Sequence, residues 1–242
     1  MDSTKITRPA RKVLNLKLKY CGAVIVAAGS ASRMGGIDKI MAPLCGEPVI
    51  VHTVRRFQEC DAIREIVIVT RPERIIPIMD VCHGFSKVKA VVVGGDTRDA
   101  SVSMGMNTLS AKCKLVAVQD GARPFATWQL IDRVVRAANS YGAAAPAIPV
   151  KDTVKVVKGG LVAETPDRAT LKAVQTPQVF DFDLLRGALK KAKADCLAIT
   201  DDCSAVEHMG MRVKIVEGDE KNIKITTPFD LKIAELIMEE NK

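Results

Sequence analysis

Val24-Ile-Val-Ala-Ala-Gly-Ser-Ala-Ser-Arg-Met-Gly-Gly36 is the stretch that decides how this chain reads. Its apolar start has no polar alternation, the pattern of a strand covered on both faces, as in parallel α/β sheets. Such strands present ligands at their carboxyl ends, and here the strand runs into a loop bounded by Gly29, Gly35 and Gly36. Glycines there let backbone amides approach oxyanions that a Cβ would hold away. Arg33 and Lys39 supply counter-charge. Two familiar phosphate loops fail on spacing. A dinucleotide fingerprint from Gly29 needs glycines at Ala31 and Met34, and a P-loop needs Gly-Lys-Ser/Thr where the chain reads Gly36-Ile37-Asp38-Lys39. A solvated glycine turn stays open on this stretch alone.

Outward from it, apolar strand candidates alternate with helical periodicity. Strands are expected at 22–28, 65–70, 88–93, 115–119 and 143–149. Helices are expected at 48–60, 99–110 and 127–141, each with apolar residues at helical spacing. Pro77 argues against a helix after Pro72. The pattern predicts one α/β domain with a mainly parallel sheet and helices on both faces. Beyond Val150, the segments 153–157 and 161–163 flank Lys158-Gly159-Gly160, which predicts a projecting hairpin arm at about 151–170. The sheet resumes near Leu171, followed by helices at 183–194 and after Thr200 and a strand at 212–217. Thr227, Pro228 and Asp230 start a closing helix.

The chain's 242 residues suffice for one substantial core. Its formal charge is +8, but residues 1–20 hold six basic residues against Asp2, leaving about +3 for the body, residues 21–242. Residues 1–20 are expected to be a flexible basic extension. With few aromatics and no basic face for stacking bases, nucleic-acid binding is not expected. No apolar run nears the roughly twenty residues of a membrane span, and the N-terminus lacks a secretory apolar core. Seven cysteines without a C-x-x-C pair point to a reducing compartment, the cytoplasm; an organelle address in residues 1–20 stays open.

Polar clusters recur where strands should end. Gly94-Gly95-Asp96 precedes Arg98 and Ser101 at a helix opening, and Asp120 ends a strand three residues before Arg123. Thr176 precedes Pro177, Asp201-Asp202 opens a helix, and Lys224 precedes the last one. Together V-I-V-A-A-G-S-A-S-R-M-G, G-G-D-T-R-D-A-S-V, Q-D-G-A-R-P-F, P-V-K-D-T-V, Q-T-P-Q-V-F, I-T-D-D-C-S-A-V-E and V-E-G-D-E-K-N-I-K-I-T-T-P resemble the 2-C-methyl-D-erythritol 4-phosphate cytidylyltransferase family, in order from about Gly22 onward.

The resemblance implies a nucleotidyltransferase-type, Rossmann-like α/β domain that dimerises through its β-arm. It also implies a reaction: CTP and methylerythritol phosphate give 4-diphosphocytidyl-2-C-methyl-D-erythritol and pyrophosphate. Arg33, Lys39 and Lys224 would be catalytic. Ala27, Ala28, Gly29, Ser30, Gly94, Gly95, Asp96, Arg98 and Ser101 would hold CTP. Asp120, Arg123, Thr176 and Lys224 would meet the sugar phosphate, with Thr153 and Arg168 contributed by the partner's arm. Mg²⁺ would be bound mostly by phosphates and water, with Asp120 nearby. A phosphate monoester is already largely a dianion at pH 7, so no histidine base is required, and His52 reads as structural. The chain departs from the family's Pro-Lys-Gln at Asp38-Lys39-Ile40, where Asp38 would partly neutralise Lys39. Ribitol 5-phosphate cytidylyltransferase, or a non-catalytic nucleotide-binding homologue, are the alternative readings.

Overall fold

The computed structural model describes residues 17–29 and 38–240, so Ser30 and Arg33 lie outside the described residues, as do residues 1–16 of the basic extension. Residues 17–20 are tied into the fold. The Tyr20 carbonyl accepts from the Leu115 amide at 3.1 Å, and Lys19 pairs with Asp181 at 3.0 Å.

β1 (Cys21–Val26) lies at the centre, hydrogen-bonded in parallel to β4 (Ile63–Thr70) on one side and to β6 (Leu115–Asp120) on the other. Between β1 and β4, the short hairpin β2 (Pro43–Leu44) and β3 (Glu47–Pro48) leads into α1 (Val49–Glu59). A 3-10 turn at Pro72–Arg74 runs into α2 (Ile75–Cys82). A helix therefore does form after Pro72. Pro77 falls in its first turn, where a missing N–H leaves no hydrogen bond unmade. β5 (Val88–Val93) extends the parallel sheet beyond β4, and α3 (Arg98–Thr108) returns to β6. α4 (Trp128–Tyr141) is capped by Thr127, whose hydroxyl accepts from the Leu130 amide, and ends at Gly142 with φ 83°. β7 (Ala143–Pro149) follows.

The arm is a hairpin of β8 (Val156–Lys158) and β9 (Leu161–Glu164), turned by Gly159 and Gly160, both at positive φ. β10 (Lys172–Val174) and β11 (Gln178–Asp181), separated by a cis Thr176–Pro177 peptide, lie antiparallel along one edge of β7. β11 also pairs antiparallel with β6, so it closes the gap between β6 and β7, a strand the sequence reading missed. After α5 (Phe182–Ala194) and α6 (Asp202–His208), β12 (Lys214–Glu217) pairs in parallel with the other edge of β7. α7 (Pro228–Glu239) closes the chain on a capping box of Thr227 and Asp230.

Alternation of side chains along the strands divides the core between the two faces of the sheet. Ala23 and Ile25 face the layer of α1, α4 and α7, where Ile50, Phe57, Ile131 and Ala234 are buried. Val24 faces α3, α5 and α6, where Val102, Leu185 and Val206 are buried. Burying each such isoleucine or phenylalanine contributes roughly 2 to 3 kcal/mol.

Candidate active site

Val26, Thr70, Val93 and Asp120 are the last residues of the four neighbouring parallel strands β1, β4, β5 and β6, and all four line one cavity of about 610 Å³. That is the carboxyl edge where an open α/β sheet takes its ligand, and the volume suits a small organic molecule. Ala27, Ala28 and Gly29 carry β1 into the wall, and Lys39 lines it where the chain returns.

Opposite, Gly94, Gly95 and Asp96 form the turn from β5 into α3, joined by Arg98 and Ser101. Ser101 holds that turn in shape: its Oγ accepts from the Gly95 amide at 3.2 Å and donates to the Thr97 carbonyl at 3.0 Å. Gly94 has no room for a side chain, because an added Cβ would stand 2.7 Å from Ser101 Oγ and 3.0 Å from the Ala28 Cβ.

The floor is a charge cluster around Asp120. Its Oδ2 lies 2.8 Å from Lys224 Nζ and 3.5 Å from Arg123 Nε, while Oδ1 lies 3.9 Å from Arg98. Burial pushes the Asp120 carboxyl up, but Lys224, Arg98 and Arg123 outweigh it and hold the group below its usual range, so it is ionised at neutral pH. Arg98 also meets the fully buried Asp202 at 2.7 Å. Burial pushes the Asp202 carboxyl up, against the opposing pull of Arg98.

The support behind Asp120 comes from remote segments. The Asp120 amide donates to Thr176 Oγ1 at 3.2 Å, Arg123 Nη1 donates to the Asn222 carbonyl at 2.8 Å, and Asn222 Nδ2 donates to the Thr176 carbonyl at 2.9 Å. Gln178 joins two motifs: its Oε1 accepts from the Asp202 and Cys203 amides, and its Nε2 donates to Asp201 at 2.7 Å.

Of the residues named from sequence, Ala27, Ala28, Gly29, Lys39, Gly94, Gly95, Asp96, Arg98, Ser101, Asp120 and Lys224 are thus brought to one cavity. Thr176 and Arg123 stand behind its wall, engaged with Asp120 and the 219–225 segment. Thr153 and Arg168 are exposed on and beside the arm, Arg168 donating to the Lys151 carbonyl at 2.8 Å. Asp38 directly precedes the lining residue Lys39, and its carboxylate is engaged by Arg74 and by the Ile40 amide. That is a role the sequence reading did not assign. His52 is structural as expected: it is buried and donates from Nε2 to the Leu44 carbonyl at 2.8 Å.

The sequence reading named Asp202 only as opening a helix, and it assigned no role to Arg71, which lines the cavity, or to Gln178 and Arg74, which stand behind it. Arg71 directly follows β4 and Arg74 comes three residues later, and a basic pair beside the carboxyl edge of a parallel strand is the signal that points to them.

A family profile described as 2-C-methyl-D-erythritol 4-phosphate cytidylyltransferase matches residues 21–240. The chain belongs to that family. A member from Caldanaerobacter subterraneus subsp. tengcongensis bearing that name is 44% identical over 221 residues, covering 89% of this chain and 97% of the relative. One of the same name from Symbiobacterium thermophilum is 45% identical over 219 residues, 90% of this chain and 92% of the relative. The crystal structure of 4-diphosphocytidyl-2C-methyl-D-erythritol synthase from Anaerococcus prevotii superposes with a TM-score of 0.83 at 31% identity, covering 91% of this chain and 96% of that one. The family's activity class is cytidylyl transfer, and the family fold is the mixed, mostly parallel α/β sheet described above.

Proposed function

We propose that this chain transfers CMP from CTP to 2-C-methyl-D-erythritol 4-phosphate, releasing pyrophosphate and forming 4-diphosphocytidyl-2-C-methyl-D-erythritol. The observation that carries this reading is the convergence of Lys39, Arg98 and Lys224 on a single cavity at the carboxyl edge of β1, β4, β5 and β6, in a chain of this family.

The phosphate of the acceptor attacks the α-phosphorus of CTP in line, and pyrophosphate leaves on the opposite side. The attacking oxygen belongs to a group that is mostly a dianion at neutral pH, so the residues need not abstract a proton. What they must do is neutralise charge as one anion approaches another. Lys39 serves the triphosphate side, together with Arg33, whose role comes from the family resemblance. Lys224 and Arg98, held by Asp120, serve the acceptor phosphate and the cytidine wall. Gly94, Gly95 and Asp96 present backbone groups to the base, in a turn that Ser101 holds in shape. Arg123 and Thr176 act on the acceptor by setting Asp120.

The donor set fits a magnesium ion that arrives on phosphate oxygens. Among the described residues no cluster of three or more His, Cys, Asp or Glu could cage a metal, while Asp120 lines the cavity, its Oδ1 3.9 Å from Arg98. Such an ion would supply further neutralisation of the triphosphate.

The chain works as a homodimer. Leu161, Val162 and Val157 of the arm are 76%, 61% and 56% exposed, and a two-stranded hairpin is marginal in water unless it packs on something. A partner's arm would bring Thr153 and Arg168 to the site. The seven cysteines are free, in keeping with a reducing cytoplasm. Among the described residues no helix is long and apolar enough to cross a membrane.

CTP-dependent pyrophosphate release with a panel of polyol phosphates tests the reading. Turnover is expected with methylerythritol phosphate and lowered by about two to three decades in Lys39→Ala. Faster turnover of ribitol 5-phosphate would replace the substrate, and CTP binding with no turnover of any acceptor would favour a non-catalytic homologue.

A further inference from the structure

Asp38 directly precedes Lys39, and its carboxylate is held from two sides. Its Oδ2 is paired with Arg74 Nε, whose side chain is only 11% exposed, and its Oδ1 accepts from the Ile40 amide at 3.0 Å. Arg74 reaches in the other direction too, placing Nη1 3.4 Å from the Ala27 carbonyl, and three residues earlier Arg71 Nε donates to the Ala28 carbonyl at 2.9 Å.

Two arginines of one turn therefore hold both chain ends at the β1 side of the cavity: Ala27 and Ala28 where the chain leaves β1, and Asp38 where it returns. The turn has its own anchor. It joins β4, buried along nearly its whole length, to α2, whose Ile78 and Cys82 are buried. Arg71 lines the cavity, whereas Arg74 is not among its lining residues. Arg74 is placed to act through the chain it grips, not on substrate.

We propose that Arg74 is a positioning residue for nucleotidyl transfer: by tying the end of β1 to Asp38, it fixes the adjacent Lys39 at the cavity wall. The proposal rests on Lys39 acting on the triphosphate. A flexible lysine stabilises a transition state only if its ammonium is already where charge develops, and a misplacement of about 1 Å can cost on the order of a hundredfold in rate. A guanidinium bound to a carboxylate on one side and a backbone carbonyl on the other supplies that stiffness.

The test is steady-state and single-turnover pyrophosphate release by the full chain carrying Arg74→Ala, Asp38→Asn, Lys39→Ala and their pairwise combinations. Arg74→Ala and Asp38→Asn are each expected to lower kcat ten- to fiftyfold with KM for CTP changed less than threefold, and the two together to be no worse than the more severe single change. In the Lys39→Ala background, Arg74→Ala should change kcat less than threefold, because the group it positions is gone. A merely structural arginine would instead multiply with Lys39→Ala.

A further tenfold loss in that background, or Arg74→Ala turning over within threefold of wild type, overturns the role of Arg74 while leaving Lys39 in place. Lys39→Ala within a few-fold of wild type removes Lys39 from the mechanism and this proposal with it. Should Arg74→Ala fail to fold, Asp38→Asn carries the same comparison from the more exposed side of the pair.

Discussion

Replacing Asp120 by asparagine removes the one carboxylate that three cations share, and the geometry fixes what that should cost. At an effective dielectric near 20, unit charges at 2.8, 3.5 and 3.9 Å attract by about 6, 5 and 4 kcal/mol. These are gross attractions, offset by the burial of the charges and by the 40% exposure of Lys224, which can turn to water. Arg98 and Arg123, at 31% and 13% side-chain exposure, have less freedom to do so. Removing one partner from a buried pair typically costs about 3 to 5 kcal/mol, and the lower end applies here because Lys224 can relax. At roughly 2 to 4 °C per kcal/mol for a domain of this size, Tm should fall by about 6 to 12 °C at pH 7.

The sign of the pH dependence follows from the lowered carboxyl. The stabilisation Asp120 provides is fully present above its ordinary pKa of 3.8 and is lost as pH falls through the lower folded-state value. The gap between wild type and Asp120→Asn in urea unfolding should therefore close on acidification. Binding should move the other way: in metal-free buffer the uncompensated cations gain a triphosphate partner, so CTP should raise the variant's Tm by more than it raises that of wild type. Unfolding midpoints that coincide at pH 7, or a gap that persists undiminished well below pH 3.8, would refute the balanced cluster.

Lys39→Ala should lower kcat by about two to three decades, since a charge at about 4 Å with a dielectric near 20 is worth on the order of 4 kcal/mol and each 1.36 kcal/mol is tenfold; its circular dichroism spectrum should still show the wild-type fold. Leu161→Glu with Val157→Glu should shift the chain from dimer to monomer in sedimentation and abolish turnover, and mixing with an arm-intact, Lys39→Ala chain should restore some activity if arms serve the partner's site. Asp230→Ala should cost about 1 to 2 kcal/mol, because Asp230 accepts from the Thr226 and Thr227 amides at 2.8 Å and from the Thr226 hydroxyl at 2.7 Å. Burial raises the Asp230 carboxyl, but those donors together lower it below 3.8, so that cost too should fade in chemical-denaturation curves as pH drops through the lowered value.

The elements with a local cause were legible in the sequence. β1, β4 and β6 show as apolar runs because both faces are covered, and α4 and α7 announce their starts through Thr127 and Thr227, whose hydroxyls accept amides a few residues on. The glycine turn of the arm and the cavity-lining residues of the β1 and β5 ends were legible for the same reason: sharp turns beside strand ends select glycine.

Only the tertiary structure decided the rest. Gln178 to Asp181 is a strand because β6 and β7 each offer it an open edge, which no periodicity within four residues can reveal. Asp38 beside Lys39 read as a neutralising neighbour, yet its carboxylate is engaged by Arg74, delivered by the turn after β4. Asp120 read as one of a pair with Arg123, yet it is balanced by Lys224 and Arg98 as well. Backbone periodicity and capping act over a few residues and leave their trace in order along the chain. Charges are matched across space, where the fold, not the spacing, chooses the partner.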